Sequence, residues 1–599
     1  MAQEKEERSG RTTSTSAHST SAHSRSGPRE ATGAVDSGMT AAAPGRRAER
    51  YIIGTRAFPG AQPLAYPQHS MDEVVEYLGR MEDVEVVKRI RLGGAQPFTT
   101  GGSFHEVVVA RFDEARAQRL RAAAPAHLII EPDWLLAGTD CLPVAARATP
   151  IATLLPLRSI ANEISVRVVG ERDQPLARAM VVIEGGGFPV QALTDESGTA
   201  RITFFGGPIE AIQTLFVRAA ANHWDRLLSA PRLSSGTNTV KLRPLSELHP
   251  NFPGTRLLGW GQRLMGLDPT GGRFTGSGVR IGVIDSGCDN SHPLLRHITH
   301  GKDFTSGGTD TSWSQDLVAH GTHCAGIINA ASTEQGIVGC APGAELHVFK
   351  VMPHGWISDL LAALHECIER ELDLIHISVA SDGFSELVAQ KLREARLKGI
   401  ACIAAAGNTG GPVAFPAMLP ATMAVAAVGR LREFPSDSSH ILSVLPHLIG
   451  SDDVFAAGFS AAGPQVAVSA PGVAVVSTVP GGGYAAADRT SAAAAHVTGL
   501  AALVLAHHPA FQDGLLRARS EQRVHALFEL IRASAVARFA HPQHRGAGVP
   551  YLPRIPGSRG LVMGLAAADG VERIAMPQYW PGPIQGWPAW LQPPASGFF

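Results

Sequence analysis

The sequence predicts an α/β fold, a parallel sheet covered by helices, preceded by a small α+β domain and a β-sandwich. Three observations carry this. Between about residues 250 and 553, apolar strand-like runs alternate with helical ones, as in "VRIGVID", "ELHVFKV", "SDLLAALHECIER", "LDLIHISVA" and "GIACIAAAGN". Strands without a polar face need cover on both sides, which a parallel sheet between helix layers provides. Residues 51–137 read β-α-β-β-α-β, and residues 160–245 hold β-rich runs separated by turn clusters such as "TDESGT" with no long helical pattern.

The elements follow in order along the 599 residues. Residues 1–48 are rich in Ser, Thr, Gly, Ala and Arg and repeat "STSAH" at 14–18 and 19–23, too little apolar surface to offset the entropy of ordering; a disordered segment is expected. His18 and His23 there lack the carboxylate or Cys partners of a metal site. The α+β domain comes next, with strands "YIIGTR", "VEVVKRIR", "HEVVVARF" and "HLIIEPDWLL" and helices "SMDEVVEYLGRM" and "DEARAQRLRAA". The sandwich strands are "ISVRVVG", "AMVVIEGG", "ARITFF" and "TLFVRAA", followed by a Pro-containing link near 250–256. Beyond the α/β region, residues 557–599 end in a Pro-rich stretch with Trp580, Trp587 and Trp590, read as an extended arm lying on the chain's own surface.

Composition narrows the function. Lys and Arg (52) balance Asp and Glu (53) with no basic stripe, so nucleic acid is not an expected partner. The charged start "MAQEKEERSG" has no apolar stretch of the kind an export signal needs; a cytoplasmic location is expected, with export by another route left open. The most apolar window, 491–506, is short for a bilayer and contains His496, so it reads as a core helix and no membrane span is expected. The six cysteines show no C-x-x-C spacing and read as free buried thiols.

Four residues supply chemistry. Asp285 closes "VRIGVID", Asn408 ends "IACIAAAGN", His320 opens "HGTHCAG", and Ser491 stands before the small, apolar run "AAAAHVTGLAAL". Each has an ordinary reading, as turn former, turn residue, surface histidine and helix cap. Together they are a carboxylate, an oxyanion donor, a base and a nucleophile, the inventory of acyl transfer, and strand carboxyl ends are where open parallel sheets place their sites.

These stretches resemble the subtilisin-like serine proteases (peptidase family S8): "VIDSGCDNSHP", "HGTHCAG" and "RTSAAAAHVTGLAAL", together with "AAAGNTG", "FPA" at 415–417 and "FSAAGPQVAVSAPGVAVVSTVPGGGY" at 459–484. The resemblance implies a serine endopeptidase of that fold acting on polypeptides, with Asp285, His320 and Ser491 as triad, Asn408 as oxyanion donor, and Ser378, Val379, Ala380, Ala405 and Gly407 at the substrate. It implies no cofactor or metal in the chemistry; structural calcium occurs in the family, but no compact oxygen-rich loop is present. Residues 51–137 resemble the family's inhibitor-like propeptide, implying a zymogen whose own prodomain is chaperone and inhibitor. The alternative reading is a catalytically silent scaffold that binds peptides in the same cleft. It draws on two departures from the family pattern, Arg489 for the first Gly of Gly-Thr-Ser and Ala380 for the Gly of Ser-Leu-Gly. Arg489 is expected to lie over the cleft and favour acidic peptides. Cys324, four residues after His320, is expected close beneath it.

Overall fold

The computed structural model describes residues 49–56, 71–92, 106–138, 161–185, 189–205, 207–267, 274–331 and 334–552. The expected disordered start, the Trp-rich tail, His18, His23 and Cys141 lie outside them.

In the α+β region, strands Glu49–Thr55, Glu85–Arg91, Glu106–Phe112 and Leu128–Pro132 form an antiparallel sheet in the order second, third, first, fourth, with helices Met71–Gly79 and Glu114–Ala123. The second helix starts where it does because the Asp113 carboxylate accepts from the Arg116 N–H at 2.7 Å. Side chains alternate along the strands. Tyr51, Ile53, Val108 and Ala110 pack under the two helices, whereas Ile52, Val107 and Ile129 face the α/β region and share a core with Leu360, Leu361 and Leu387.

The sandwich pairs a three-stranded sheet (Asn162–Val169, Thr199–Phe204, Thr237–Lys241) with a four-stranded one (Met180–Glu184, Val190–Leu193, Thr214–Arg218, Arg226–Ser229). Inward residues of both sheets, among them Ile164, Val166, Val181, Ile202, Leu215 and Val240, make its core.

The α/β region is built on a nine-stranded sheet. Strands His300–Asp303, Glu345–Lys350, Arg280–Asp285, Leu374–Ile377, Ala401–Ala405 and Thr422–Arg430 lie side by side and parallel, and Val466–Pro471 joins the last of them. Val454–Ala457 and Val444–Ile449 add antiparallel strands at that edge. Helices Gly321–Asn329 and Thr490–His507 pack on one face with Ile281, Val283 and Ile403; helices Ile357–Glu369 and Glu386–Leu397 pack on the other with Ile284, Ile375 and Ile377. This is the α/β class that the alternating pattern predicts.

Thr490–His507 is apolar on all sides because it is enclosed on all sides. Among the described residues it is long and apolar enough to cross a membrane, and 89% of it is buried inside this fold, as the core-helix reading expects. Its run Ala492–Ala495 and Gly499 keep the surface low; a Cβ at Gly499 would collide with Cys340.

Candidate active site

Asp285 ends a parallel strand and His320 caps the helix Gly321–Asn329 from the neighbouring layer. Gly321 lets that helix start against the Asp285 loop, since a Cβ there would collide with the Gly287 carbonyl oxygen. Ser491 is the second residue of its helix; the cap position belongs to Arg489, which makes no side-chain cap bond. Ser491 is therefore not a cap.

The three side chains form one buried line. His320 Nδ1 lies 2.6 Å from Asp285 Oδ1, and His320 Nε2 lies 2.8 Å from Ser491 Oγ. An ionised carboxylate only accepts, so Nδ1 carries the proton toward Asp285 and Nε2 is left to accept from the Ser491 hydroxyl. The Ser286 N–H also donates to Asp285 Oδ1 at 2.6 Å. Burial works against the Asp285 charge, but the facing His320 and these hydrogen bonds hold its carboxyl well below the usual carboxylate range.

Asn408 follows Gly407, whose φ of +117° is a conformation that favours glycine. Thr490 fixes the Asn408 amide: its N–H and its Oγ–H both donate to Oδ1, at 2.9 and 2.8 Å, which identifies Nδ2 as the donor end of the group. Thr490 Oγ in turn accepts from the Gly407 N–H at 3.2 Å. Asn408 is thus tied to the residue directly before Ser491.

The remaining candidates divide. Val379 and Ala380 form a short strand beside the site, and this strand is already paired: Ala137 and Gly138 run antiparallel to it, Ala380 opposite Ala137 and Val379 opposite Gly138. On the other side of the same segment, the Leu136 N–H donates to Gly355 O at 2.8 Å and the Ile357 N–H donates to Trp134 O at 2.8 Å. The last residues of the α+β region thus lie as the middle strand between two edges of the α/β region. Ser378 is buried, its Oγ 2.5 Å from His376 Nε2, and Ala405 is enclosed in the core; neither side chain reaches the surface of the cleft.

Arg489 corrects the expectation placed on it. It is 9% exposed and lies near the buried His323, whose pKa burial and then the Arg489 charge push down to about 3. The side chain points into the protein rather than over the cleft. Its φ of −162° is extended backbone open to any residue, so the usual Gly is not needed for the turn. Cys324 is fully buried beneath the triad, its Sγ 3.8 Å from Ser378 Oγ, and burial pushes its thiol pKa well up, which makes it unreactive.

Several contributors have no motif of their own. Buried Asp316 accepts from Ser286 Oγ (2.8 Å) and from the Thr322 N–H (2.9 Å), joining the Asp285 loop to the start of the His320 helix. Its position four residues before His320 was the available signal. Among the described residues, Asp285, Cys324 and His376 place potential metal-ligating atoms within 4.8 Å of one another, all buried below the triad. With Asp285 Oδ1 engaged by His320 and the Cys324 thiol protonated, the grouping fits packing beneath the site better than a metal centre.

A serine, a histidine and a carboxylate in one hydrogen-bonded line at the carboxyl ends of a parallel sheet define the α/β class of Ser-His-Asp proteins. Residues 276–546 match the subtilase family, peptidase S8. Subtilisin from Bacillus pumilus is 36% identical over 256 residues, 41% of this chain and 84% of that protein. Subtilisin E from Bacillus subtilis (strain 168) is also 36% identical over 256 residues, here 61% of that protein, and alkaline elastase YaB from Bacillus sp. (strain YaB) is 35% identical over 248 residues, 58% of that protein. The chain belongs to the subtilase family. The matched region spans about three fifths of the length of subtilisin E.

Proposed function

We propose that the chain is a serine endopeptidase made as a zymogen. The observation that carries this reading is the unbroken line from Asp285 through His320 to Ser491, with bonds of 2.6 and 2.8 Å. Ser491 Oγ attacks the scissile carbonyl while His320 Nε2 takes its proton. Asp285 holds the imidazole tautomer and stabilises the imidazolium. The oxyanion of the tetrahedral intermediate is met by the Asn408 Nδ2 donor and the Ser491 backbone N–H, at the positive end of the helix dipole. His320 then protonates the leaving amine, the acyl-enzyme forms, and water attacks it by the same route in reverse. No step calls on a metal or cofactor.

The zymogen part of the reading draws on the segment 134–138. It occupies the edge strand Val379–Ala380 by main-chain pairing, the mode by which an extended substrate would bind, so the α+β region acts as an internal inhibitor. Polypeptides are the substrates, and this region is the chain's own partner. Replacing Ser491 by Ala leaves a helix-compatible residue in place and should lower casein hydrolysis by about 10⁶-fold, the order of loss when a triad nucleophile is removed, with an unchanged circular dichroism spectrum. Casein hydrolysis by Ser491→Ala at the wild-type rate would overturn the assignment.

A further inference from the structure

The loop 221–225 at one end of the sandwich is seated in the α/β region. The Asn222 N–H donates to Tyr484 O at 2.6 Å, and the Tyr484 N–H donates back to Asn222 Oδ1 at 3.1 Å. Trp224 is 1% exposed, belongs to the α/β core, and sets its ring edge-on to His440 with centroids 5.9 Å apart. Asp225 accepts from the Ser439 N–H at 2.9 Å and from Ser439 Oγ. The sandwich thus holds the short helix Ser439–Ser443 on which His440 sits.

From His440 the chain of contacts runs to the nucleophile. His440 Nδ1 donates to Asp488 Oδ1 at 2.6 Å, Ser443 Oγ donates to Asp488 Oδ2 at 2.8 Å, and the Ala474 N–H donates to Oδ1 at 2.7 Å. Asp488 stands three residues before Ser491. The next residue, Arg489, caps the Ser491 helix without a side-chain cap bond, and its own N–H goes to Gly472 O at 2.7 Å. The turn carrying the nucleophile is therefore fixed from outside, by Asn408 at Thr490 and by Asp488 on the side facing the sandwich.

We propose that the β-sandwich is a positioning element for Ser491, acting through Trp224 and Asp225 on His440 and through the His440–Asp488 pair on the turn 488–490. This rests on the triad reading. A displacement of about 1 Å at a nucleophile costs as much as 10²-fold in rate, so the turn that carries it gains from a rigid prop. The charged groups facing His440 are Asp488 on the turn, Asp225 on the sandwich loop and Arg218 at a sandwich strand end; Trp224 and Phe434 supply apolar walls. Burial alone would lower the His440 pKa, but the two carboxylates outweigh it and raise it to about 9. The imidazolium therefore persists at neutral pH. The pair is intact below the ordinary histidine pKa of about 6.5 and is lost as pH rises through about 9.

The test uses the full chain and three readouts. Wild-type kcat on a peptide substrate should fall as pH rises through about 9. His440→Gln should lower kcat at neutral pH roughly ten- to hundredfold, leave KM within about twofold, and remove that alkaline fall. Asp225→Asn, a near-isosteric change on the sandwich side of the contact that tests the same coupling if His440→Gln does not fold, should move the alkaline fall to lower pH and speed hydrogen exchange over 472–491. Folded variants with wild-type kcat, the wild-type pH profile and unchanged exchange over 472–491 overturn the proposal. A wild-type chain cut beyond Gly138 that still takes up no serine-directed phosphonate, while Asp225→Asn loosens 472–491, refutes the protease reading and upholds the coupling.

Discussion

Two regions precede the α/β region and attach to it in different ways. The α+β region meets the amino ends of two helices with carboxylates: Glu131 accepts from Ser385 Oγ and from the Glu386 N–H (2.8 Å), and Asp133 accepts from the Ser358 N–H and Oγ, both at 2.9 Å. Lys88–Asp359 and Arg56–Glu386 pairs flank these contacts, at 2.5 and 2.6 Å. Its chain then continues into the cleft. Among the described residues the sandwich takes no part in the pairing of Val379–Ala380. It inserts Trp224 into the main core and grips the segments behind the nucleophile. Both share apolar core with the α/β region, Ile52, Val107 and Ile129 for the first and Trp224 for the second; what separates them is that the first adds buried carboxylates at two helix ends and pairs with Val379–Ala380, while the second holds the segment 437–440. On the proposed zymogen reading, the first region is the one to leave and the second the one to stay.

The largest test of that contrast is Trp224→Ala. Emptying a buried Trp site costs about 3–5 kcal/mol, and here the loss should appear in the urea unfolding of the α/β region and not of the sandwich alone. Unfolding of the sandwich with the α/β transition unmoved would break the comparison.

Glu131 gives the next largest effect. Burial raises its pKa from 4.5 to about 7, against the opposing pull of Ser385 and the helix N–H groups. Burial raises Asp133 as well. A docked Glu131 keeps its proton to about pH 7, whereas a solvated one loses it near 4.5, so docking is favoured in acid and loses that contribution as pH rises through 7. The swing is on the order of 3 kcal/mol. Limited proteolysis of the α+β region in the Ser491→Ala chain should accelerate from pH 5 to 8, and Glu131→Gln should flatten that trend. An identical slope in both chains contradicts it.

Ser385 caps the helix Glu386–Leu397 by accepting from the Val388 N–H at 3.1 Å and also donates to Glu131. Ser385→Ala should cost about 1 kcal/mol of thermal stability and loosen the α+β region, with no change in the exchange of 472–491. The smallest effect is expected at Arg489. With its side chain inside, Arg489→Gly should leave the charge preference among cleaved peptides as it was, and a peptide library that shifts toward basic sequences would place the side chain back over the cleft.

The α/β class was legible because burial on two faces leaves uninterrupted apolar strands, and Asp285 and Asn408 were legible because they stop such strands. Contacts between distant segments were not. Glu131 and Asp133 read as the end of a strand, and nothing local announces that their partners stand more than 220 residues on. His440 and Asp488 are 48 residues apart and carry no motif. Arg489 was misread because position beside a nucleophile says nothing about direction; the extended backbone at 489 sends the side chain toward His323. Ser491 looked like a cap because Thr-Ser before an apolar run is a common helix start, while the helix begins one residue earlier, at Thr490.

On the proposed reading, Ser491 is a working nucleophile whose cleft is filled by the chain's own segment 134–138. Incubating the purified wild-type and Ser491→Ala chains with a serine-directed phosphonate, then reading labelled mass and new amino termini, tests it most directly. The wild-type chain should take one label per molecule at Ser491 and acquire a new amino terminus beyond Gly138, and Ser491→Ala should do neither. An intact, unlabelled wild-type chain, or the same cut in both proteins, would contradict it.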